Sequence, residues 1–331
     1  MKPSPFVVIT SIAPPTDAVR AFAERVGDQL IVVGDRKTPP DWSLPPVEYV
    51  GISGQESGGR LGTLLPWNHY CRKMLGYLRA AQRGAEAIYD TDDDNTPKPA
   101  WGIPLFEGAW QTSAAALGWV NVYRWFTDAH IWPRGFPLRA ITDPRAVVST
   151  DQTSVSAARV GVWQAMADGD PDVDAIYRLV DGRACFFRDR EPLVLGEGTL
   201  CPFNSQATAF QRACFPLLYL PASVSSRVTD ILRGLVAQPV LWAAGMRLGF
   251  TTATVVQDRN PHDLLRDFEA ELPLYLRAEE IVDTVIGAVR GGATLEANLI
   301  AAYSALERTG VVDATEPPRV EAWLHDLAAS T

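Results

Sequence analysis

The sequence predicts an α/β protein built on a mostly parallel, Rossmann-like sheet, with a helical C-terminal part. Three observations carry this. Strand-like and helix-like segments alternate through the first 95 residues. The strand segments are continuous β-branched runs, as expected for strands buried on both faces. From Ser225 onward the apolar residues recur at helical spacing.

Each element follows from its residues. Phe6 to Ile9 is an apolar strand run. Thr16 to Gly27 is a helix, with Ala18, Val19, Phe22, Ala23 and Val26 on one face, Thr16 as cap and Gly27 as stop. Leu30 to Val33 is a second strand, closed by Gly34-Asp35. Residues 36 to 46, with Pro39, Pro40, Pro45 and Pro46, read as an ordered loop. Val47 to Val50 is a third strand, and Gly51 to Gly62, with five glycines, reads as a mobile loop. Asn68 to Arg83 is a helix with Tyr70, Met74, Leu75, Leu78 and Ala81 inward and Gly84 as its end. Glu86 to Thr91 is a fourth strand, running into Asp92-Asp93-Asp94-Asn95. Residues 100 to 225, rich in Gly, Pro and Trp, read as short strands and loops. The remaining chain is read as helical, over 226–247, 261–280, 279–290, 294–308 and 318–328.

Composition narrows the function. The chain has 331 residues, of which 47% are apolar and 21% charged, the profile of a soluble globular protein. Lys plus Arg is 30 and Asp plus Glu is 39, giving a net charge of −9, which argues against nucleic acid as the partner. Cys71, Cys185, Cys201 and Cys214 include no Cys-x-x-Cys pair and read as buried, reduced thiols. The apolar run after Met1 is too short for a signal peptide, and no stretch is long enough for a transmembrane helix. A cytoplasmic location is expected, with homo-oligomerisation left open.

Parallel sheets bind ligands beyond the carboxyl ends of their strands. Three polar clusters occupy those positions: Thr10-Ser11, Gly34-Asp35-Arg36-Lys37 and Asp92-Asp93-Asp94. They predict one shared site. Asp90-Thr91-Asp92-Asp93-Asp94 places four carboxylates within five residues. Mutual repulsion there is relieved by a divalent cation, and carboxylate oxygens suit Mg²⁺ or Mn²⁺. The alternative is a solvated acidic turn.

The motifs then point to a family. Ile31-Val32-Val33-Gly34-Asp35-Arg36-Lys37-Thr38-Pro39, Pro66 to Tyr77 (Pro-Trp-Asn-His-Tyr-Cys-Arg-Lys-Met-Leu-Gly-Tyr) and Ile88-Tyr89-Asp90-Thr91-Asp92-Asp93-Asp94-Asn95 resemble the STELLO family, also called DUF288. Later segments agree: Asp170 to Leu179, Pro202 to Gln206, Phe215 to Pro221 and Arg227 to Gly234. The resemblance runs from Val7 to about Leu327. It implies the GT-A glycosyltransferase fold, with a catalytic unit over residues 1–258 and a helical extension over 259–331. Within that unit, 1–98 would bind the nucleotide sugar and 99–258 the acceptor. A more distant similarity is to reversibly glycosylated polypeptides, the UDP-arabinopyranose mutases, which makes a UDP-sugar the first guess for donor.

The resemblance also implies roles. Thr10, Ser11 and Asp35 meet the nucleoside, where Asp35 could accept a hydrogen bond from a uracil N–H. Arg72 or Lys73 contacts the diphosphate, and Lys37, Asp92 and Asp93 complete the donor-binding set. Asp94 binds Mn²⁺ or Mg²⁺ directly, with Asp92 helping through ribose or metal, and His262 is a third ligand. Thr229-Asp230 begins a helix, where Asp230 would take the proton from an acceptor hydroxyl in an inverting reaction; the same pair also reads as a helix cap. His262 also reads as a surface residue. Trp101, Trp110 and Trp132 could stack on an acceptor sugar, a carbohydrate or glycoconjugate. Two other functions stay open: a UDP-sugar mutase that glycosylates itself, and a non-catalytic partner of a polysaccharide synthase.

Overall fold

A computed structural model describes residues 4–56, 59–260 and 262–330. The fold begins with β1 (Phe6–Thr10), α1 (Asp17–Val26), β2 (Leu30–Val33) and β3 (Glu48–Val50). The Thr16 hydroxyl accepts from the Val19 N–H and caps α1, as its position predicts. The glycine-rich stretch is not a loop but two short helices, α2 (Ile52–Glu56) and α3 (Gly59–Leu64); Ser57 and Gly58 lie outside the described residues. Burial of Gln55 and Leu61 explains the order, because both face the body of the protein. The expected helix from Asn68 starts as a 3₁₀ turn over Tyr70–Lys73 and continues as α4 (Met74–Gln82), followed by β4 (Ala87–Thr91).

The middle region holds β5 (Asn95–Pro97), β6 (Glu107–Ser113), β7 (Gly118–Trp119), α5 (Tyr123–Phe126) and β8 (Thr153–Gly169). After them come α6 (Ala175–Val180), β9 (Leu193–Val194), β10 (Thr199–Leu200) and β11 (Ala207–Gln211). The reading of short strands alone misses β8, which is 17 residues long, exposed at its start and buried from Val160 onward. The last part holds α7 (Ser226–Ala243), β12 (Arg247–Gln257), α8 (Leu264–Ala288), α9 (Leu295–Arg308) and α10 (Glu316–Ala328). It is not all helical: β12 is an 11-residue strand. The two helices read over 261–280 and 279–290 are one helix, α8, of 25 residues; Pro261 lies outside the described residues.

Among the described residues, ten strands form one mixed sheet in the order β3-β2-β1-β4-β11-β8-β6-β9-β12-β5, with β8 and β12 also paired. The strands β3, β2, β1 and β4 are mutually parallel. β11 runs antiparallel to both β4 and β8. β8 therefore points the same way as β4, and so does β12, which is parallel to β8. The carboxyl ends of β1, β2, β4, β8 and β12, and the start of β11, thus reach one edge of the sheet.

Apolar side chains pack on both faces. One face carries α4, α7, α8, α9 and α10 over Val8, Ile31, Ile88 and Phe210. The other carries α1 and several aromatics over Val7, Ile9, Val32 and Tyr89. The four cysteines are free and buried, as expected. No helix among the described residues is long and apolar enough to cross a membrane.

Candidate active site

The strand ends open into a cavity of about 460 Å³. It is lined by residues of all three predicted clusters, Thr10, Ser11, Asp35, Lys37, Asp92, Asp93 and Asp94, and by Arg72, Asp230 and His262. Lys73 is the exception among the expected site residues. It stands behind the lining, fully buried, and spends its ammonium on Asp90 at 2.6 Å and Asp92 at 3.1 Å.

The β1 and β2 ends form one wall. Asp35 stays nearly buried; its Oδ1 accepts from the Arg36 N–H at 2.7 Å and its Oδ2 from the His69 N–H at 3.3 Å. The Thr38 hydroxyl ties this turn to β1 by donating to the Ser11 carbonyl at 2.8 Å. Arg72 donates to Gln55 Oε1 at 2.5 Å and to the Leu65 carbonyl at 3.0 Å, and its guanidinium lies 3.5 Å from the Trp67 ring centre. Its Nη2 is buried without a partner.

The acidic loop is anchored from below. Asp90 is fully buried between Lys73 and Arg233, the latter at 2.7 Å. Burial alone would push the Asp90 carboxyl up, but the two cations more than offset it and hold it below the ordinary range. Asp93 turns toward β1, where its Oδ2 accepts from the Ser11 hydroxyl at 2.5 Å. Asp92 accepts from the Tyr70 hydroxyl at 2.6 Å, and Asp94 from Gln257 Nε2 at 3.0 Å. Burial first, and then the negative charge of Asp92, raise the Asp94 carboxyl to about 7. Burial likewise raises Asp92 and Asp93.

A metal can be tested against this donor set. Two carboxylates face one cavity, and burial first, then the charge of its neighbour, pushes Asp94 up to about 7. That is a hard-oxygen pair short of positive charge, and it fits Mg²⁺ or Mn²⁺. Among the described residues no group of three or more His, Cys, Asp or Glu could hold an ion, so a ligand would have to supply the remaining oxygens. His262 lines the same cavity as the acid loop. Its Nδ1 pairs with Asp267 at 3.2 Å.

The wall beyond the acid loop centres on Arg134. Its guanidinium binds Asp172 through Nε and Nη2, both at 2.8 Å, and Asp230 through Nη1 and Nη2 at 3.1 and 3.0 Å. These two carboxylates keep Arg134 charged, well above its ordinary range, although burial opposes this. Asp230 is the fifth residue of α7 and Ser225 is the N-cap, so Thr229-Asp230 neither begins the helix nor caps it. Gln206 accepts from the Asp172 N–H at 3.2 Å and donates to Gln257, which in turn donates to Asp94. A chain of side chains therefore joins the acid loop to the Arg134 cluster.

Arg134, Asp172, Gln206, Arg227, Gln257 and Arg259 line the cavity but were absent from the expected site. Asp172, Gln206 and Arg227 lie inside segments already marked by the family resemblance. Arg134 and Arg259 carry no such signal. The three tryptophans are packed elsewhere. Trp101 meets Phe22 and Tyr89, Trp110 meets Trp163, and Trp132 meets Tyr177 and donates to Asp174; none lines the cavity.

Known proteins with a matching sequence are plant proteins named as probable glycosyltransferases. The chain is 29% identical over 264 residues to "Probable glycosyltransferase STELLO1" of Arabidopsis thaliana, covering 72% of this chain and 34% of that protein. It is 28% identical over 265 residues to "Probable glycosyltransferase STELLO2" of the same plant, with the same coverage. The STELLO resemblance carried by the motifs is thus borne out. The chain spans about a third of the length of these curated relatives. No family model matches the chain.

Proposed function

We propose that this chain is a metal-dependent, GT-A-type glycosyltransferase that moves a sugar from a nucleotide sugar, first among them a UDP-sugar, to an acceptor hydroxyl. The observation that carries this reading is the meeting of Thr10-Ser11, Asp35-Lys37, Asp92-Asp94 and Asp230 in one cavity. The relatives' names support the reaction class. Asp35 and the β1 end would hold the nucleoside. Arg72 Nη2, a buried donor without a partner, would meet a phosphate oxygen. Asp94 and Asp92 would hold Mn²⁺ or Mg²⁺, which when bound offsets the diphosphate charge and eases its departure.

Asp230 would accept the acceptor hydroxyl proton. Each of its oxygens takes one N–H from Arg134, and Oδ2 also takes the Ser205 N–H at 3.2 Å. These bonds fix the carboxylate plane, while Oδ1 keeps the freer lone pair for the incoming proton. Attack from the Asp230 side, opposite the leaving diphosphate, inverts the anomeric carbon.

A thermal-shift screen of UDP-, GDP-, CMP- and dTDP-sugars, with and without Mn²⁺, tests the reading. One nucleotide should raise the melting temperature only with Mn²⁺, and Asp94→Asn should abolish the rise. No stabilisation by any nucleotide with Mn²⁺ present would reject it.

A further inference from the structure

At the cavity, one carboxylate gathers two guanidinia and an imidazole. Asp267, in the first turn of α8, meets Arg259 Nη2 at 2.9 Å, His262 Nδ1 at 3.2 Å and Arg227 Nε at 3.7 Å. All three line the cavity. Arg227 is also held by Glu271. Arg259 is held less fully. Its side chain is only 9% exposed, yet it spends one N–H on Asp267 and its other N–H groups have no partner among the described residues. Burial and the neighbouring guanidinia of Arg178 and Arg227 push Arg259 down to about 10. Crowded, half-bonded guanidinia of this kind are stabilised by an anion.

A second feature points to the same place. The 18-residue helix α7 starts here, with Ser226 and Arg227 on the cavity lining. Its N-cap, Ser225, makes no side-chain capping bond. The Val228 N–H is spent on the Ser225 carbonyl at 2.8 Å, so the Ser226 and Arg227 amides are the ones left to attract negative charge. Besides Asp267, which pairs with these side chains directly, Asp172 and Asp230 are both bound by Arg134, and Glu271 faces Arg227 from α8.

The corner adjoins Asp230, and on its other side the end of β12 reaches the acid loop, where the Asp258 N–H donates to the Asp94 carbonyl at 3.3 Å. The nucleotide-side clusters lie at the ends of β1, β2 and β4. Arg227 lies one helical turn before Asp230 on α7, and Arg259 follows the end of β12. We propose that Arg259 and Arg227, with the first amides of α7, form an oxyanion subsite for the acceptor. The acceptor is then an acidic molecule, carrying a carboxylate or phosphate near the hydroxyl that Asp230 activates. This rests on the reading of Asp230 as the base.

The test uses the full chain and calorimetric titration with inorganic phosphate and with glucuronate, and glucose as the uncharged control. Wild type and Arg259→Gln are compared, each with and without saturating UDP and Mn²⁺. Both anions should bind wild type, glucose should bind about tenfold more weakly, and Arg259→Gln should weaken the anions about tenfold. UDP with Mn²⁺ should leave anion binding in place. No anion binding, equal binding by the variant, or displacement of the anion by UDP with Mn²⁺ would each overturn the subsite; the last would assign these cations to the donor phosphates. If UDP itself does not bind, the donor reading fails, while the comparison of Arg259→Gln with wild type still judges the subsite. Arg259→Lys, which keeps the charge but loses the fork, should fall between the two and serves if the Gln variant does not fold.

Discussion

At the residue scale, Asp94 couples the site to pH in two opposite directions. Its folded-state value, raised to about 7, lies above that of an unfolded chain. Between roughly pH 4 and 7 the folded protein therefore holds a proton that the unfolded chain has released. This contribution to stability is complete below the unfolded value and is lost as pH rises through about 7. The ligand-free protein should lose up to about 1 kcal/mol per pH unit from this group across that window. Asp94→Asn should flatten that part of a denaturant-melt series taken from pH 5 to 8. Mn²⁺ affinity should run the other way and climb with pH, because binding needs the ionised carboxylate. Calorimetry at pH 6 and 8 checks it, and an unchanged affinity would remove Asp94 from the metal site. Asp230→Asn is the second residue-scale prediction. It keeps the shape and one acceptor oxygen but sets an amide donor against the N–H groups that Asp230 accepts, so stability in a denaturant melt should fall by about 2–4 kcal/mol, while transfer falls about a hundredfold or more. Retained turnover in a folded variant would dismiss Asp230 as base.

At the element scale, legibility follows burial. The strands β1 and β2 were readable because each is an apolar run buried on both faces, and β4 because Ala87-Ile88-Tyr89 leads straight into the acid run. β8 was not, because its first residues are exposed and its buried half includes Gln164 and Asp168, so no single period spans it. β12 carries the β-branched residues of a strand, Thr251, Thr252, Thr254, Val255 and Val256, but it lies between two long helices and was absorbed into a helical reading of the whole C-terminal part. The helix α4 shows why a glycine is needed within an otherwise regular helix. A Cβ on Gly76 would stand 2.6 Å from Val8 Cγ1 and 2.7 Å from Val33 Cγ2, so the helix sits directly on β1 and β2. Gly76→Ala should cost about 1–3 kcal/mol despite its better helix propensity, and weaken nucleotide binding by shifting the β1 and β2 ends. A denaturant melt at least as stable as wild type would contradict that packing argument.

At the scale of the whole molecule, the side of the cavity built on β1, β2 and β4 was legible and the rest was not. Parallel strand ends converge by rule, so Thr10, Asp35 and Asp92 could be placed together from local patterns alone. Arg134, Gln257 and Arg259 reach the cavity only because β8, β11 and β12 join the same sheet, and those pairings are non-local. The two sides are joined by a buried ionic link. Arg233 on α7 binds Asp90 on β4 and the Asn204 carbonyl before β11, while Lys73 binds Asp90 from the other side. Arg233→Met would leave the Asp90–Lys73 pair short of one cation in a dry interior. It should cost about 3–5 kcal/mol in a denaturant melt, and replacement without loss would show that the link is dispensable.

The Asp94–Gln257 hydrogen bond joins residues 163 apart in sequence. Beside it, β5, which follows the acid loop, pairs with the last residues of β12. On the ribosome β1, β2 and β4 emerge early, but the brace for the acid loop is among the later pieces to be translated. A nascent chain that has not yet released β12 carries an acid loop with half its supports and a β4 edge whose covering strand, β11, arrives only after more than a hundred further residues. Synthesis therefore passes through a long interval in which an apolar sheet edge is uncovered, the state that chaperones bind.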